Sequence, residues 1–198
     1  MKTVRRQKRS PRKKSGRVFF QGFLRSPLKV GTFVPSSRFL ENRVTALSDL
    51  ANSRVVVELG AGTGGLTRQL LAGMPDRGNL LSIEIDPDFC EVLQRIHDDR
   101  LLVYAGSACE LGEALSEHGL PAPDTIVSGI PFSTLPRSEA ERVIQQIWGA
   151  LAPGGRFVAY QISARVEQLA EPWFGTPHCE VEYRNLPPLR VFCWQKPL

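Results

Sequence analysis

The chain has 198 residues, 42% of them hydrophobic, which suits one α/β domain with a sizeable core. Its formal net charge of +5 is divided unevenly: residues 1–40 carry 12 of the 25 Lys and Arg and none of the 20 Asp and Glu. No stretch reaches the roughly 18 apolar residues of a transmembrane helix, the basic start leads into no apolar signal-peptide core, and the four cysteines form no Cys-x-x-Cys pair. These features exclude a disulfide framework or a zinc site and predict reduced thiols in a cytosolic protein, with no metal.

Beyond residue 40 the balance is 13 basic against 20 acidic residues, so an acidic globule carries a basic arm. Such an arm seeks a polyanion, either nucleic acid or an anionic membrane surface. Met1–Ser15 is rich in Lys and Arg and holds almost nothing apolar, a composition expected to be disordered when free. Arg17–Arg25 places Phe19, Phe20, Phe23 and Leu24 on one helical face, with Arg17, Gln21 and Arg25 away from it, until Pro27 stops the helix. Two readings stay open: an interfacial membrane anchor, or aromatics packed on the globule. The chain is therefore divided into an arm, 1–35, and a domain, 36–198.

Ser36 or Ser37 is placed to cap a helix running to about Ala51, with Phe39, Leu40, Val44, Leu47 and Leu50 on its apolar side. The rest alternates. Strands are predicted at Arg54–Glu58, Asn79–Ile85, Leu101–Tyr104, Thr125–Ser128 and Arg156–Ile162. Helices are predicted at Gly65–Gly73, Pro87–His97, Ala108–Glu117 and Ser138–Leu151. Two antiparallel strands follow between His178 and Gln195, around Asn185-Leu186-Pro187-Pro188. Alternating βα units followed by a hairpin predict a doubly wound sheet with a reversed C-terminal strand.

The chemistry centres on Val55-Val56-Val57-Glu58-Leu59-Gly60-Ala61-Gly62-Thr63-Gly64, a buried strand running into a glycine turn and then a helix. A second strand closes on Glu84, where an acid can accept hydrogen bonds from a ribose diol. Together these stretches resemble the S-adenosylmethionine site of class I methyltransferases, whose Rossmann-like fold the element order also matches. The resemblance implies that Glu58, Gly60, Gly62, Gly64, Glu84, Ser107 and Ser128 bind the cofactor. Glu84 would take the ribose hydroxyls, and Ser107 would border the adenine where many relatives have an acid.

The turn Ser128-Gly129-Ile130-Pro131-Phe132 is similar to the Asn-Leu-Pro-Tyr motif of N6-adenine methyltransferases, with Gly129 in place of the asparagine. Gly129, Pro131 and Phe132 are the candidate catalytic positions beside the reactive methyl. The Phe132 ring could stabilise a cationic acceptor, or it could simply pack as a wall. Tyr104, Tyr160 and Tyr183 are unranked hydrogen-bond or cation–π candidates. Arg184 or Arg190 could hold a lipid phosphate or remain unpaired on the surface. His97, His118 and His178 read as surface or loop histidines.

Along nearly the whole chain, Phe20–Gly31, Val34-Pro35-Ser36-Ser37, the glycine motif and Asn185–Val191 resemble bacterial phospholipid N-methyltransferases. That implies methylation of phosphatidylethanolamine towards phosphatidylcholine, by a cytoplasmic enzyme held peripherally on an anionic membrane surface that contains its phospholipid substrate. Three alternatives stay open: an ornithine-lipid N-methyltransferase, an rRNA adenine N6-dimethyltransferase, and a binding module without catalysis.

Overall fold

The computed structural model describes residues 37–198. The basic arm and the helix expected at Arg17–Arg25 lie outside the described residues.

Ser37 caps the first helix, α1 (Arg38–Leu47), its side chain accepting from the Leu40 amide. This helix ends earlier than the apolar pattern predicts. Ser48 and Asp49 turn the chain, and Leu50–Asn52 forms a separate 3-10 turn. Phe39, expected on the apolar side, is exposed.

The strands are β1 (Val55–Leu59), β2 (Asn79–Glu84), β3 (Leu101–Ala105), β4 (Thr125–Ser128), β5 (Arg156–Gln161), β6 (His178–Glu182) and β7 (Leu189–Gln195). They form one sheet in the order β3-β2-β1-β4-β5-β7-β6. The first five run parallel, and β7 is antiparallel to both β5 and β6. The expected doubly wound sheet with a reversed last strand is present. Its strand order reverses between β1 and β4, where open α/β sheets leave a crevice at the carboxyl ends of the strands.

The other helices are α2 (Gly65–Gly73), α3 (Pro87–Gln94), α4 (Leu111–Glu117), α5 (Arg137–Ala150) and α6 (Arg165–Phe174). α3 stops short of the predicted His97. The predicted Ala108–Glu117 helix is a 3-10 turn, Ala108–Glu110, leading into α4. The sequence pattern predicted no element at α6. Its buried stripe is only Val166 and Ala170, and Pro172 lies inside it, so local periodicity is weak.

Strand side chains alternate between two apolar layers, as the pleat requires. Val57, Ile126, Phe157 and Phe192 face α4, α5 and α6, whereas Val56, Val127, Val158 and Val191 face α1 and α2. β1 is buried along its whole length, as expected for a central parallel strand covered on both faces. Phe174 of α6 meets Trp148 of α5 edge-on at 4.8 Å and lies 6.3 Å from Trp194 of the reversed strand, which itself stacks on Phe157 at 5.0 Å. The four cysteines are free thiols.

Candidate functional site

The loop after β1 continues the sheet's hydrogen bonding: the Gly60 amide donates to the Ile83 carbonyl at 2.9 Å. Gly60 has φ +77°, and a Cβ there would also press on Ile130 Cγ1 at 3.3 Å. Gly64 caps α2 at φ +79°, where a Cβ would lie 3.1 Å from both Leu93 and Ile96. Both positions demand the left-handed region, and both are crowded, so glycine is the residue that fits.

Glu84 closes β2, and its carboxylate is buried. One oxygen accepts from the Gly62 amide at 2.9 Å; the other accepts from the Ile85 and Asp86 amides at 2.8 and 2.9 Å. Burial nevertheless raises its pKa above the ordinary carboxylate value, against the pull of those amides. A carboxylate offers about four lone-pair sites, so with this loop conformation Glu84 has room for one further donor. That acceptor site is on the oxygen that holds the Gly62 amide.

Glu58 was expected to bind cofactor directly, but it lies beneath the loop and outside the wall of the cleft. Its Oε2 accepts from the hydroxyls of Thr67 on α2 and Ser82 on β2, at 2.7 and 2.8 Å. Its Oε1 is buried without a hydrogen-bond partner among the described residues. Burial pushes its pKa up to about 7, offset in part by the two hydroxyls, with Glu84 adding a smaller upward push.

A cleft of about 370 Å³, counting its open mouth, runs along the carboxyl ends of β1, β2 and β3. Of the residues expected from the sequence, Gly60, Glu84 and Ser107 line it. Gly62, Gly64, Ser128, Gly129, Pro131 and Phe132 are not in its wall. Ser107 sits in a capping box: its hydroxyl accepts from the Cys109 amide at 3.2 Å while its amide donates to Glu110. Residues missed by sequence reasoning complete the cleft: apolar Ile83, Ile85, Ile130, Leu135 and Val143, and the acid Glu139. Glu139 comes from α5, more than thirty positions from Ser107 in the chain. No local pattern marks it.

The turn after β4 is held from inside. Ser128 Oγ accepts from the Ile130 amide at 3.3 Å. The buried side chain of Gln161 donates to the Ile130 carbonyl at 2.6 Å and accepts from the Phe132 amide at 3.3 Å. Phe132 was a candidate for an open ring facing a cation; here it is fully buried in the core layer with Leu135 and Ile144. Burial of this apolar ring wins over exposure at the turn.

The two candidate phosphate-binding arginines also differ. Arg184 pairs with Glu182 at 3.0 Å and lies over the Phe39 ring at 4.0 Å. Arg190 donates to the Ile162 carbonyl at 2.9 Å. Of the three tyrosines, Tyr183 is 77% exposed, and Tyr160 lies against Gly129.

This cleft has the parts a nucleoside needs: a carboxylate for a ribose hydroxyl, apolar walls for a ring, and polar groups at Ser107 and Glu139. Its carboxylates also favour a positively charged ligand such as a sulfonium.

Comparison with known proteins gives the same answer. Residues 57–157 match the family model described as a methyltransferase domain. An ornithine lipid N-methyltransferase from Singulisphaera acidiphila is 29% identical over 187 residues, covering 88% of this chain and 93% of that protein. A ribosomal RNA small subunit methyltransferase A from Cupriavidus pinatubonensis is 34% identical over 102 residues, 51% of this chain but 34% of that protein. Among solved structures, the N-methyltransferase NodS from Bradyrhizobium japonicum WM9, in complex with S-adenosyl-L-homocysteine, superposes with a TM-score of 0.69. It is 16% identical and covers 91% of this chain and 99% of its own, which shows a shared fold. The glycine loop, the buried acid closing β2 and the cleft between them thus belong to an S-adenosylmethionine-dependent enzyme, and the chain is a member of the class I methyltransferase family.

Proposed function

We propose that this enzyme methylates the amino head group of a membrane aminolipid, with ornithine-headed lipid and phosphatidylethanolamine as the two candidate acceptors. The observation that carries the reading is the extent of similarity. The ornithine lipid relative aligns along nearly the whole of both chains, whereas the ribosomal RNA relatives align over about half of this chain and a third of their own. The rRNA reading has further difficulties. Position 129 has no amide to hold an adenine amino group, and Phe132 offers no open face for stacking on a base.

When bound, S-adenosylmethionine supplies an electrophilic methyl on a sulfonium. The residues of this chain hold it: Glu84 accepts from the ribose, Ser107 and Glu139 stand at the ring end, and the loop at Gly60 allows close approach of backbone. Catalysis then consists of alignment, desolvation and tolerance of a cationic nitrogen product. Substrate access is peripheral, from an anionic membrane surface on the cytoplasmic side that attracts the basic arm. Among the described residues no helix is long and apolar enough to cross a membrane.

The test incubates the protein and S-adenosylmethionine with vesicles carrying each aminolipid, and separately with small-subunit rRNA. Mass spectrometry should find methyl groups added to lipid and none to adenine. Dimethyladenosine in the rRNA with unmodified lipid would overturn the proposal.

A further inference from the structure

Gly129 opens the loop after β4, and its amide donates to the Leu59 carbonyl at 3.0 Å. Because β4 and β5 are parallel with Ser128 opposite Ala159, the next residue on each side brings Gly129 level with Tyr160. A Cβ added to Gly129 would lie 2.2 Å from the Tyr160 hydroxyl and 2.8 Å from Cζ, and 3.2 Å from the Gly60 carbonyl oxygen. The phenol oxygen therefore occupies the volume that a side chain at position 129 would need. It stands at the junction of the β1 and β4 loops, next to Gly60, which lines the cleft.

The side chains on either side hold the turn itself. Ser128 Oγ and both ends of the Gln161 amide bond the turn's own backbone, and Phe132 is in the core. Tyr160 is half-buried, packed by its ring against the layer that includes Leu40 and Val191. Its ring is thereby fixed and its hydroxyl directed at the loop junction.

We propose that the Tyr160 hydroxyl positions the acceptor nitrogen, standing where a side-chain amide at position 129 would otherwise do so. The assignment rests on the aminolipid reading. The phenol oxygen accepts a hydrogen bond from an N–H of the neutral amine, turning the nitrogen lone pair towards the methyl carbon. The N–C bond forms as the C–S bond breaks, and sulfur keeps the C–S electron pair as a neutral thioether. Nitrogen becomes cationic, and its extra proton is afterwards released to water. Because the N–H donor grows more acidic as charge develops, the hydrogen bond strengthens in the transition state. A primary or a monomethylated amine has such an N–H. A neutral dimethylated amine has none, so Tyr160 should matter for the first two transfers and not for a third.

The experiment compares wild type with Tyr160→Phe on vesicles containing the primary-amine lipid, its monomethyl form or its dimethyl form. The variant keeps the ring and its packing. One hydrogen bond corresponds to a roughly three- to tenfold loss of kcat on the first two acceptors. On the dimethyl acceptor the variant should stay within about twofold of wild type, and calorimetric affinity for S-adenosylhomocysteine should be unchanged. Gly129→Ala is the second variant, since its methyl displaces the hydroxyl without removing it; the same ranking of acceptors is expected. No loss in Tyr160→Phe, or equal loss on all three acceptors, overturns the assignment alone. Wild-type inactivity on every aminolipid vesicle overturns the aminolipid reading and the assignment with it.

Discussion

The Ser37 amide donates to Asn185 Oδ1 at 3.3 Å, joining residues 148 positions apart. Ser37 is the N-cap of α1, and Asn185 is in the turn between β6 and β7. Asn185 is buried, and its Nδ2 donates to the Pro187 carbonyl at 3.2 Å. Around this contact Arg43 of α1 reaches both Glu180 and Glu182, and Arg184 covers Phe39. The residue where the basic arm enters the domain is thus pinned to the rim at the carboxyl end of β6.

Asn185→Ala should therefore loosen the α1–hairpin junction. Two hydrogen bonds are lost, and the Pro187 carbonyl and the Ser37 amide lose their partner. A destabilisation of about 1–3 kcal/mol is expected, measured by thermal or urea unfolding. Cofactor affinity should not change, because the cleft is built from other strands. An unaltered unfolding midpoint would show that the contact contributes nothing.

Glu84→Ala removes the acceptor for a ribose hydroxyl and also frees the Gly62, Ile85 and Asp86 amides. A hydrogen bond to a charged group contributes about 1.5–3 kcal/mol, so S-adenosylhomocysteine affinity should fall roughly tenfold or more. Calorimetry at constant pH measures this. Equal affinity would remove Glu84 from the cofactor site.

Glu139→Ala tests the acid that the tertiary structure brings to the cleft. If its carboxylate holds the adenine end, affinity for S-adenosylhomocysteine should fall about three- to tenfold, with fold stability near wild type at this half-exposed position. Titration calorimetry and a melting curve on the same sample separate the two effects.

Glu58 gives a pH-dependent signature. Its folded pKa of about 7 lies above the ordinary value of 4.5. Between those values the folded state keeps a proton that the unfolded chain has released, so stability falls as pH rises through this window and is level above it. The full effect is on the order of 3 kcal/mol. Glu58→Gln carries no such charge. Its melting temperature minus that of wild type should grow from pH 4.5 to pH 7.5; a constant difference would contradict the assignment.

The arm follows from the proposed membrane partner. Each Lys or Arg near an anionic surface contributes about 1 kcal/mol, and Phe19, Phe20, Phe23 and Leu24 add apolar area. Removing residues 1–25 should abolish co-sedimentation with anionic vesicles at low salt and leave cofactor binding intact. Equal sedimentation of the truncated protein would assign the charge to another partner.

Local order in the chain was enough to determine the strand-turn-helix at Val55–Gly73, the acid at Glu84, the strand Thr125–Ser128 and the reversed end of the sheet. Each rests on a short-range property: a β-branched run, glycines that permit φ > 0, or apolar periodicity. Only the tertiary structure decided what those segments meet. Side-chain partners distant in the chain leave no periodic trace, so the Ser37–Asn185 bond was not legible even though both stretches stood out. Glu139 reads as an ordinary first-turn acid until α5 packs beside the cleft. Phe132 reads as an aromatic at a substrate turn, yet apolar burial drew it into the core. Gly129 reads as a missing amide, and parallel pairing of β4 with β5 put the Tyr160 hydroxyl in that space.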